Sequence, residues 1–116
     1  AELTARVEAV LRRYGKSWDK IAVAGIEVDM ESKTVEKDGR PVELTAKEYD
    51  LLLLFLRNRN IALYRERIYE EVWDGEFDPD SRTVDIHVQR LKRKMGLEHS
   101  IVSVRNVGYR LEVSET

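Results

Sequence analysis

Arginine and glutamine side chains recur at helical spacing within residues 81–96. At about 100° of rotation per residue, one side of a helix through this stretch collects Arg82, Ile86, Gln89, Arg90 and Arg93. Guanidinium groups donate paired hydrogen bonds to phosphate oxygens or to the O6 and N7 atoms of guanine. A helix that holds such groups outward suits the major groove of DNA, but an ordinary amphipathic helix with a solvated basic face has the same pattern.

The opposite side of this stretch must anchor these groups. An apolar stripe with the spacing i, i+4, i+7 and i+11 is formed by Val84, Val88, Leu91 and Met95. Asp80 or Ser81 is a suitable N-cap, and Gly96 follows the last apolar residue, as is common after a helix C-terminus. The pattern predicts a helix over 81–95 with one buried face and one basic face.

The charge of the chain is unevenly distributed. The 116 residues carry a net charge of −2, but residues 81–110 contain seven cationic and two anionic side chains, a local charge of +5. The remainder therefore carries −7, and the basic C-terminal quarter can attract a polyanion despite the acidic total. The chain has no cysteine, which fits a reducing cytosol, and its longest apolar run, 51–56, is too short to span a membrane.

The N-terminal part of the chain shows two different periods. Residues 1–14 have helical spacing and are predicted to form an appended helix, and residues 15–20 a linker. From residue 21 to 44 apolar and polar residues alternate, and the pair Asp38-Gly39 favours a type I′ hairpin turn. We expect an antiparallel meander of three or four strands.

Two helices are predicted between the meander and residue 81. Thr45 and Glu48 have the spacing of a capping box before a helix over 46 to about 58. Its wide apolar stripe, which predicts a central core element, consists of Tyr49, Leu51, Leu52, Leu53, Leu54, Phe55 and Leu56. A second helix over about 65–74 is predicted from two i, i+4 pairs, Ile68 with Val72 and Tyr69 with Trp73.

Residues 74–80 form an acidic, turn-rich segment, here called the acidic loop. Its spaced acidic residues raise the hypothesis of a calcium-binding loop. An EF-hand loop requires Gly at its sixth position and Glu at its twelfth, where this chain has Pro79 and Asp85. We therefore predict no metal site and no cofactor. Phe77 either folds back onto the core or is presented to a protein, and His87 is expected to be a hydrogen-bonded residue at the core edge.

The alternating pattern returns after Gly96. Apolar alternation on both sides of Arg105-Asn-Val-Gly108 predicts a hairpin turn with one residue at positive φ. An arginine-bearing helix followed directly by a hairpin with Arg105 at its tip is the element order of a winged helix. We predict an α+β winged helix-turn-helix with an N-terminal antiparallel meander, three helices and a hairpin wing over 101–113, and residues 21–116 as its domain.

Several stretches together resemble one family. They are Leu44-Thr-Ala-Lys-Glu-Tyr-Asp-Leu-Leu52, Val72-Trp73, Asp80-Ser-Arg-Thr-Val-Asp-Ile-His-Val88, Arg90-Leu91 and Val104-Arg-Asn-Val-Gly-Tyr-Arg110. The chain resembles, over about 21–113, the C-terminal effector domain of OmpR/PhoB-type response regulators of bacterial two-component systems. Residues 1–14 look like the last helix of the receiver domain that precedes it in the family. The resemblance implies a cytoplasmic bacterial transcription regulator whose receiver, the target of an upstream histidine kinase, is missing from this chain.

The resemblance implies that the helix over 81–95 lies in the major groove of double-stranded DNA and the wing at the minor groove. Arg90 then reads bases, Ile86 packs against thymine methyl groups, and Arg105 enters the minor groove. Arg82, Lys92 and Arg93 are assigned to phosphates. The complete set of implied DNA contacts is Arg82, Thr83, Ile86, Gln89, Arg90, Lys92, Arg93, Ser103, Arg105 and Tyr109.

Three residues depart from the family pattern. Gln89 stands where many relatives have a basic residue, which weakens phosphate attraction or allows an adenine contact. Tyr64 stands where a Ser or Thr N-cap is usual, which leaves the start of the second helix open. Asn106 replaces the commoner glycine, and asparagine tolerates positive φ better than most residues.

The resemblance also implies protein partners. The acidic loop corresponds to the segment that contacts the sigma subunit, or another subunit such as alpha, of RNA polymerase in activators, and the candidate residues are Trp73, Glu76 and Phe77. A core anchor is the alternative role for Trp73. Phosphorylation of the receiver favours homodimers on repeated half-sites. A winged-helix module that binds proteins is the alternative function, and no catalytic motif predicts an enzyme.

Overall fold

A computed structural model describes residues 20–113, and the predicted helix over 1–14 lies outside these residues. So does the predicted linker, except for Lys20, which begins the first strand. The chain divides into two compact units, one ending at Val42 and one beginning at Glu43. No helix within 20–113 combines the length and the apolar character needed to cross a membrane.

The described part of the first unit is a four-stranded antiparallel meander. The strands, in chain order and sheet order, are β1 (Lys20–Val23), β2 (Ile26–Asp29), β3 (Thr34–Lys37) and β4 (Arg40–Val42). Lys37 pairs with Arg40, and the two residues between them, Asp38 and Gly39, have φ values of 53° and 84°. Positive φ at both central residues is what a type I′ turn requires, so the predicted hairpin is confirmed.

The second unit begins with helix α1 (Ala46–Arg57), which buries most of the predicted stripe. The capping box is confirmed: the Glu48 N–H donates to Thr45 Oγ1 at 3.3 Å, and the Thr45 N–H donates to Glu48 Oε1 at 3.0 Å. Leu53 is the exception within the stripe, because it lies half-buried in an open groove beside Asp50 and Glu71.

Helix α2 (Arg65–Trp73) follows a two-residue strand, β5 (Leu63–Tyr64). The helix starts at the predicted residue although Tyr64 provides no side-chain cap. The N–H of Arg65 donates to the carbonyl of Val107 at 3.2 Å, so a backbone group satisfies one of the free N–H groups of the first turn. Ile68 and Val72 are buried, and the rings of Tyr69 and Trp73 stack at 5.5 Å, which confirms both i, i+4 pairs.

Helix α3 (Thr83–Met95) begins two residues later than predicted. Neither Asp80 nor Ser81 is the N-cap; that position is held by Arg82. The reason is a turn before the helix, in which the Ser81 N–H donates to the carbonyl of Asp78 at 2.9 Å. The predicted end is confirmed, since Gly96 caps the helix with a φ of 66°.

The last two strands of the described residues, β6 (Ile101–Val104) and β7 (Gly108–Leu111), form the predicted hairpin. We call this hairpin, with its tip at residues 105–107, the wing. The positive φ of 64° lies at Asn106, whereas Gly108 has another role: a Cβ there would lie 2.2 Å from the carbonyl oxygen of Leu63. That close approach exists because β5 pairs with β7, which gives a sheet with the order β5-β7-β6 that the sequence did not predict.

Candidate nucleic-acid interface

Helix α3 has two contrasting faces, as predicted. Val84, Val88, Leu91 and Met95 are almost fully buried in the second unit. The opposite side, here called the outer face, is exposed and consists of Arg82, Ile86, Gln89, Arg90 and Arg93. Ile86 is 46% exposed although it is apolar. The buried stripe therefore fixes the rotation of the helix and holds the outer face toward solvent.

The outer face has an excess of available positive charge. Within residues 20–113, neither Arg90 nor Arg93 forms an ion pair, and Arg105 at the wing tip forms none either. An exposed arginine without a protein partner retains all five N–H donors of its guanidinium group. These three groups can therefore bind an anionic or acceptor-rich surface without breaking an ion pair within that range.

The other predicted contact residues differ in accessibility. Thr83 and Lys92 are half-buried at the two ends of α3, and the Thr83 hydroxyl is bound by Ser81 Oγ at 2.9 Å. Ser103 is exposed on β6, where it pairs with Tyr109. The structure thus places exposed predicted contacts both on the outer face and on the wing.

The first turn of α3 is tied to the wing and to α2 through Asp85. Its Oδ1 accepts hydrogen bonds from Arg65 Nε at 2.9 Å and from the Tyr109 hydroxyl at 2.5 Å. Arg82 Nε lies 3.4 Å from Oδ2. Burial alone would raise the pKa of Asp85, but the hydrogen bonds from Tyr109 and Arg65 outweigh it and hold that pKa below its usual range. Asp85 is therefore an anion.

Tyr109, predicted as a DNA contact, is buried. Its side chain is 4% exposed, and its hydroxyl donates to Asp85 rather than facing solvent. Burial, together with the hydrogen bond to Asp85, raises the pKa of this phenol. The physical reason is its place on β7, the central strand of its sheet, where the ring lies under the Arg65 guanidinium at 5.5 Å. The Tyr109 hydroxyl therefore orients the Asp85 carboxylate.

The last turn of α3 is tied to α1 by a second carboxylate. Lys94 Nζ lies 2.7 Å from Glu48 Oε1, and the Glu48 side chain is 1% exposed. Burial would raise the pKa of Glu48, but hydrogen bonds from Lys94 and from the Thr45 backbone lower it overall. One carboxylate therefore caps α1 and holds the C-terminal turn of α3.

The acidic loop is anchored by aromatic rings. Phe77 is half-buried, and its ring lies 5.9 Å from the Tyr69 ring, so it packs against α2. Trp73 is half-buried between Tyr69 and the ring of His87, whose centroid is 4.9 Å away. His87 Nδ1 lies 2.8 Å from the Thr83 carbonyl, as expected of a hydrogen-bonded residue at the core edge. Glu76 is exposed.

Two residues of this interface were not predicted as site residues, namely Arg65 and Asp85. They are 20 positions apart, and their pairing depends on how α2 and α3 pack. The only sequence signal was an acid, Asp85, in the first helical turn of an otherwise basic stretch. Across the described residues, no group of three acidic or histidine side chains is placed to hold a metal ion.

The sequence of this chain is similar to those of transcription regulators. The family described as transcriptional regulatory protein, C terminal, matches residues 39–111. The response regulator ArlR of Staphylococcus saprophyticus subsp. saprophyticus is 40% identical over 111 residues, which are 93% of this chain and 50% of that protein. The chain thus spans about half the length of the curated relatives that it matches.

Solved structures show the same fold. The DNA-binding domain of RstA from Klebsiella pneumoniae, solved in complex with the RstA box, has a TM-score of 0.76 at 23% identity, covering 80% of this chain and 96% of that one. The DNA-binding domain of CssR from Bacillus subtilis has a TM-score of 0.66 at 36% identity, covering 74% of this chain and 98% of that one. The predicted α+β winged helix is confirmed.

Proposed function

Because the chain belongs to the OmpR/PhoB-type family of C-terminal domains of transcriptional regulatory proteins, we propose that it binds double-stranded DNA sequence-specifically as a response-regulator effector. The observation that carries this proposal is the outer face of α3. Its guanidinium groups are exposed, while the opposite stripe of the same helix is buried. A rigid helix with arginine, glutamine and isoleucine outward has the donors and methyl groups that read base edges in the major groove.

The proposed mechanism divides the contacts into reading and positioning. Arg90 donates to the O6 and N7 atoms of guanine, Gln89 can pair with adenine, and Ile86 packs against a thymine methyl group. Phosphate contacts that set the register come from Arg82, Thr83, Lys92 and Arg93. On the wing, Arg105 inserts into the minor groove, where negative potential is enhanced, and Ser103 contacts the backbone near its base.

The whole protein extends this scheme. We propose that the effector domain follows a receiver phosphorylated by a histidine kinase in a bacterial cytoplasm, and that phosphorylation favours homodimers. A single winged helix has limited contact area, so two copies on repeated half-sites gain affinity by multivalency. The chain functions in this scheme by binding, without catalysis.

We further propose that the acidic loop contacts the sigma or alpha subunit of RNA polymerase. Glu76 is exposed there, and the packing of Phe77 against Tyr69 ties the loop to α2. A fixed acidic loop presents its carboxylates to a basic partner surface at low entropic cost.

Selection of bound duplexes from random DNA, followed by affinity measurements on variants, tests the proposed function. Arg90→Ala should lose about 1–3 kcal/mol of discrimination, roughly 5- to 150-fold, at one or two base pairs. Lys92→Ala is the matched control, because loss of a phosphate contact should weaken all duplexes about equally. Binding that is insensitive to salt and unchanged by Arg90→Ala would instead indicate a protein-binding module.

A further inference from the structure

A cleft beside the first turn of α3 has the chemistry of an additional phosphate site. We propose that Arg65 and Arg82 together bind one phosphate of the DNA backbone, and that Asp85 and Tyr109 position their guanidinium groups. This inference rests on the proposed DNA-binding function and adds Arg65, which lies on α2, to the contact surface. The cleft, here called the phosphate cleft, is lined by Arg65, Arg82, Asp85, Ile86, Gln89 and Tyr109.

The location of the cleft suits a backbone contact. Ile86 and Gln89 belong both to the cleft and to the outer face that we propose to read bases. When these two side chains meet base edges, the adjacent arginines lie at the border of the groove, where phosphates flank the bases. A phosphate there would fix the first turn of α3 relative to the duplex.

The two guanidinium groups remain accessible although both contact Asp85. Both approach the carboxylate through Nε, on opposite oxygens. The Arg82 side chain is 79% exposed and that of Arg65 is 41% exposed, whereas that of Asp85 is 17% exposed. Two cations on one anion leave a net charge of +1, so the cleft attracts a phosphate after its internal ion pairs are formed.

Asp85 and Tyr109 hold the cleft in a binding-competent form. An unrestrained arginine loses side-chain entropy when it is fixed by a ligand. Here the carboxylate already fixes Arg65 Nε at 2.9 Å, and the Tyr109 ring lies beneath the guanidinium at 5.5 Å. The Tyr109 hydroxyl in turn orients the carboxylate. Less of that entropy is then lost on binding.

The role of Asp85 can be determined from the sign of a charge effect. If Asp85 served only the fold, its negative charge beside the duplex would repel phosphates, and Asp85→Asn would strengthen binding and steepen its salt dependence. If Asp85 positions the arginines, Asp85→Asn weakens binding although it removes a repulsive charge. Tyr109→Phe keeps the ring and every charge, so it should also weaken binding if orientation of the carboxylate matters.

The principal experiment measures the salt dependence of binding to one selected duplex. The slope of log K against log salt is negative, and Arg65→Ala should reduce its magnitude by about 1. The same variant should reduce affinity about 5- to 10-fold at 0.1 M salt. The order of preference among duplexes should remain. The control is Arg67→Ala, which removes an exposed arginine of the same helix that pairs with Glu71, outside the cleft. Arg67→Ala should leave the slope unchanged.

Two additional measurements keep the outcomes separable. Thermal unfolding establishes that each variant folds. If Arg65→Ala is unfolded, Arg65→Lys replaces it, because lysine keeps the charge but not the planar guanidinium group. Arg65→Lys should keep the salt slope of the wild type and bind DNA more weakly. Equal slopes for Arg65→Ala and Arg67→Ala, or equal affinity of Arg65→Lys and wild type, would overturn the phosphate cleft, as would tighter binding by Asp85→Asn. If the phosphate cleft is overturned but the wild type still discriminates among duplexes through Arg90, the proposed DNA-binding function still holds. Salt-insensitive binding by the wild type would contradict both the phosphate cleft and the proposed function.

Discussion

The two ends of α3 are each held by a carboxylate, but in different surroundings. In the first turn the acid is on the helix, as Asp85, and it is partly exposed beside two arginines. In the last turn the cation is on the helix, as Lys94, and the acid comes from α1 as the fully buried Glu48. The ion-pair distances are similar, 2.9 Å from Arg65 to Asp85 and 2.7 Å from Lys94 to Glu48.

The difference separates an ion pair suited to a ligand from one suited to the fold. An acid near a helix N-terminus and a cation near its C-terminus both complement the helix dipole, so neither arrangement opposes the helix. The first-turn network leaves guanidinium groups accessible, whereas the last-turn pair buries its carboxylate and also uses it to cap α1. We therefore expect changes at the first turn to affect mainly binding and changes at the last turn to affect mainly stability.

The largest effect on stability should come from Glu48→Ala. This change removes half of the capping box and a charge-assisted hydrogen bond, so the free energy of unfolding should fall by about 2–4 kcal/mol. Urea denaturation measures the loss, with the exposed Glu98→Gln as a control that should change little. The preference among DNA sequences should survive wherever the variant is folded. Equal stability of the Glu48 and Glu98 variants would contradict the assignment of the last turn to the fold.

A pair of glycine substitutions compares the wing with the last turn of α3. Gly108→Ala would place a Cβ against the Leu63 carbonyl, a backbone atom with little freedom to move, and should cost about 1–3 kcal/mol. Gly96→Ala meets no atom within 4 Å and has only its positive φ to oppose it, a cost of about 1 kcal/mol. Thermal unfolding compares them. Because Gly108 borders the β5–β7 pairing next to Arg65, its variant should also lose DNA affinity, whereas equal affinity of the two variants would argue against rigid support of the wing.

The smallest effect is a dependence of stability on acidity. The folded protein lowers the pKa of both Asp85 and Glu48, so each carboxylate contributes stability that is complete above its unfolded-state value of about 4. This stability is lost as the pH falls through the lower folded-state value. Denaturation midpoints between about pH 2 and 6 should therefore decline at the acidic end. Glu48→Gln and Asp85→Asn should each flatten that decline, and an unchanged decline in both would show that other groups cause it.

Local patterns predicted the elements of the fold, whereas contacts between distant residues were not predictable. The two faces of α3 and the capping box at Thr45 depend on spacings within one or two turns, so they could be read from one sequence. The turn at Asn106 followed from the φ tolerance of one residue type. The predicted N-cap of α3 was wrong because the residue types that form turns before a helix are the same types that cap helices.

The unpredicted parts share a physical cause. Strand β5 has two residues, too few for any alternation to be visible. The pairs Arg65 with Asp85 and Glu48 with Lys94 join residues 20 and 46 positions apart, which only the packing of three helices brings together. Tyr109 was expected at the surface because the sequence did not show that β7 would be a central strand.

The bond between the Arg65 N–H and the Val107 carbonyl joins the wing tip to the start of α2. A free hairpin tip frays independently of the rest of a domain, but here the tip cannot open without releasing the first amide of that helix and the neighbouring β5–β7 bridge. In amide hydrogen exchange, residues 63–65 and 107–109 would then gain deuterium together, as one cooperative unit.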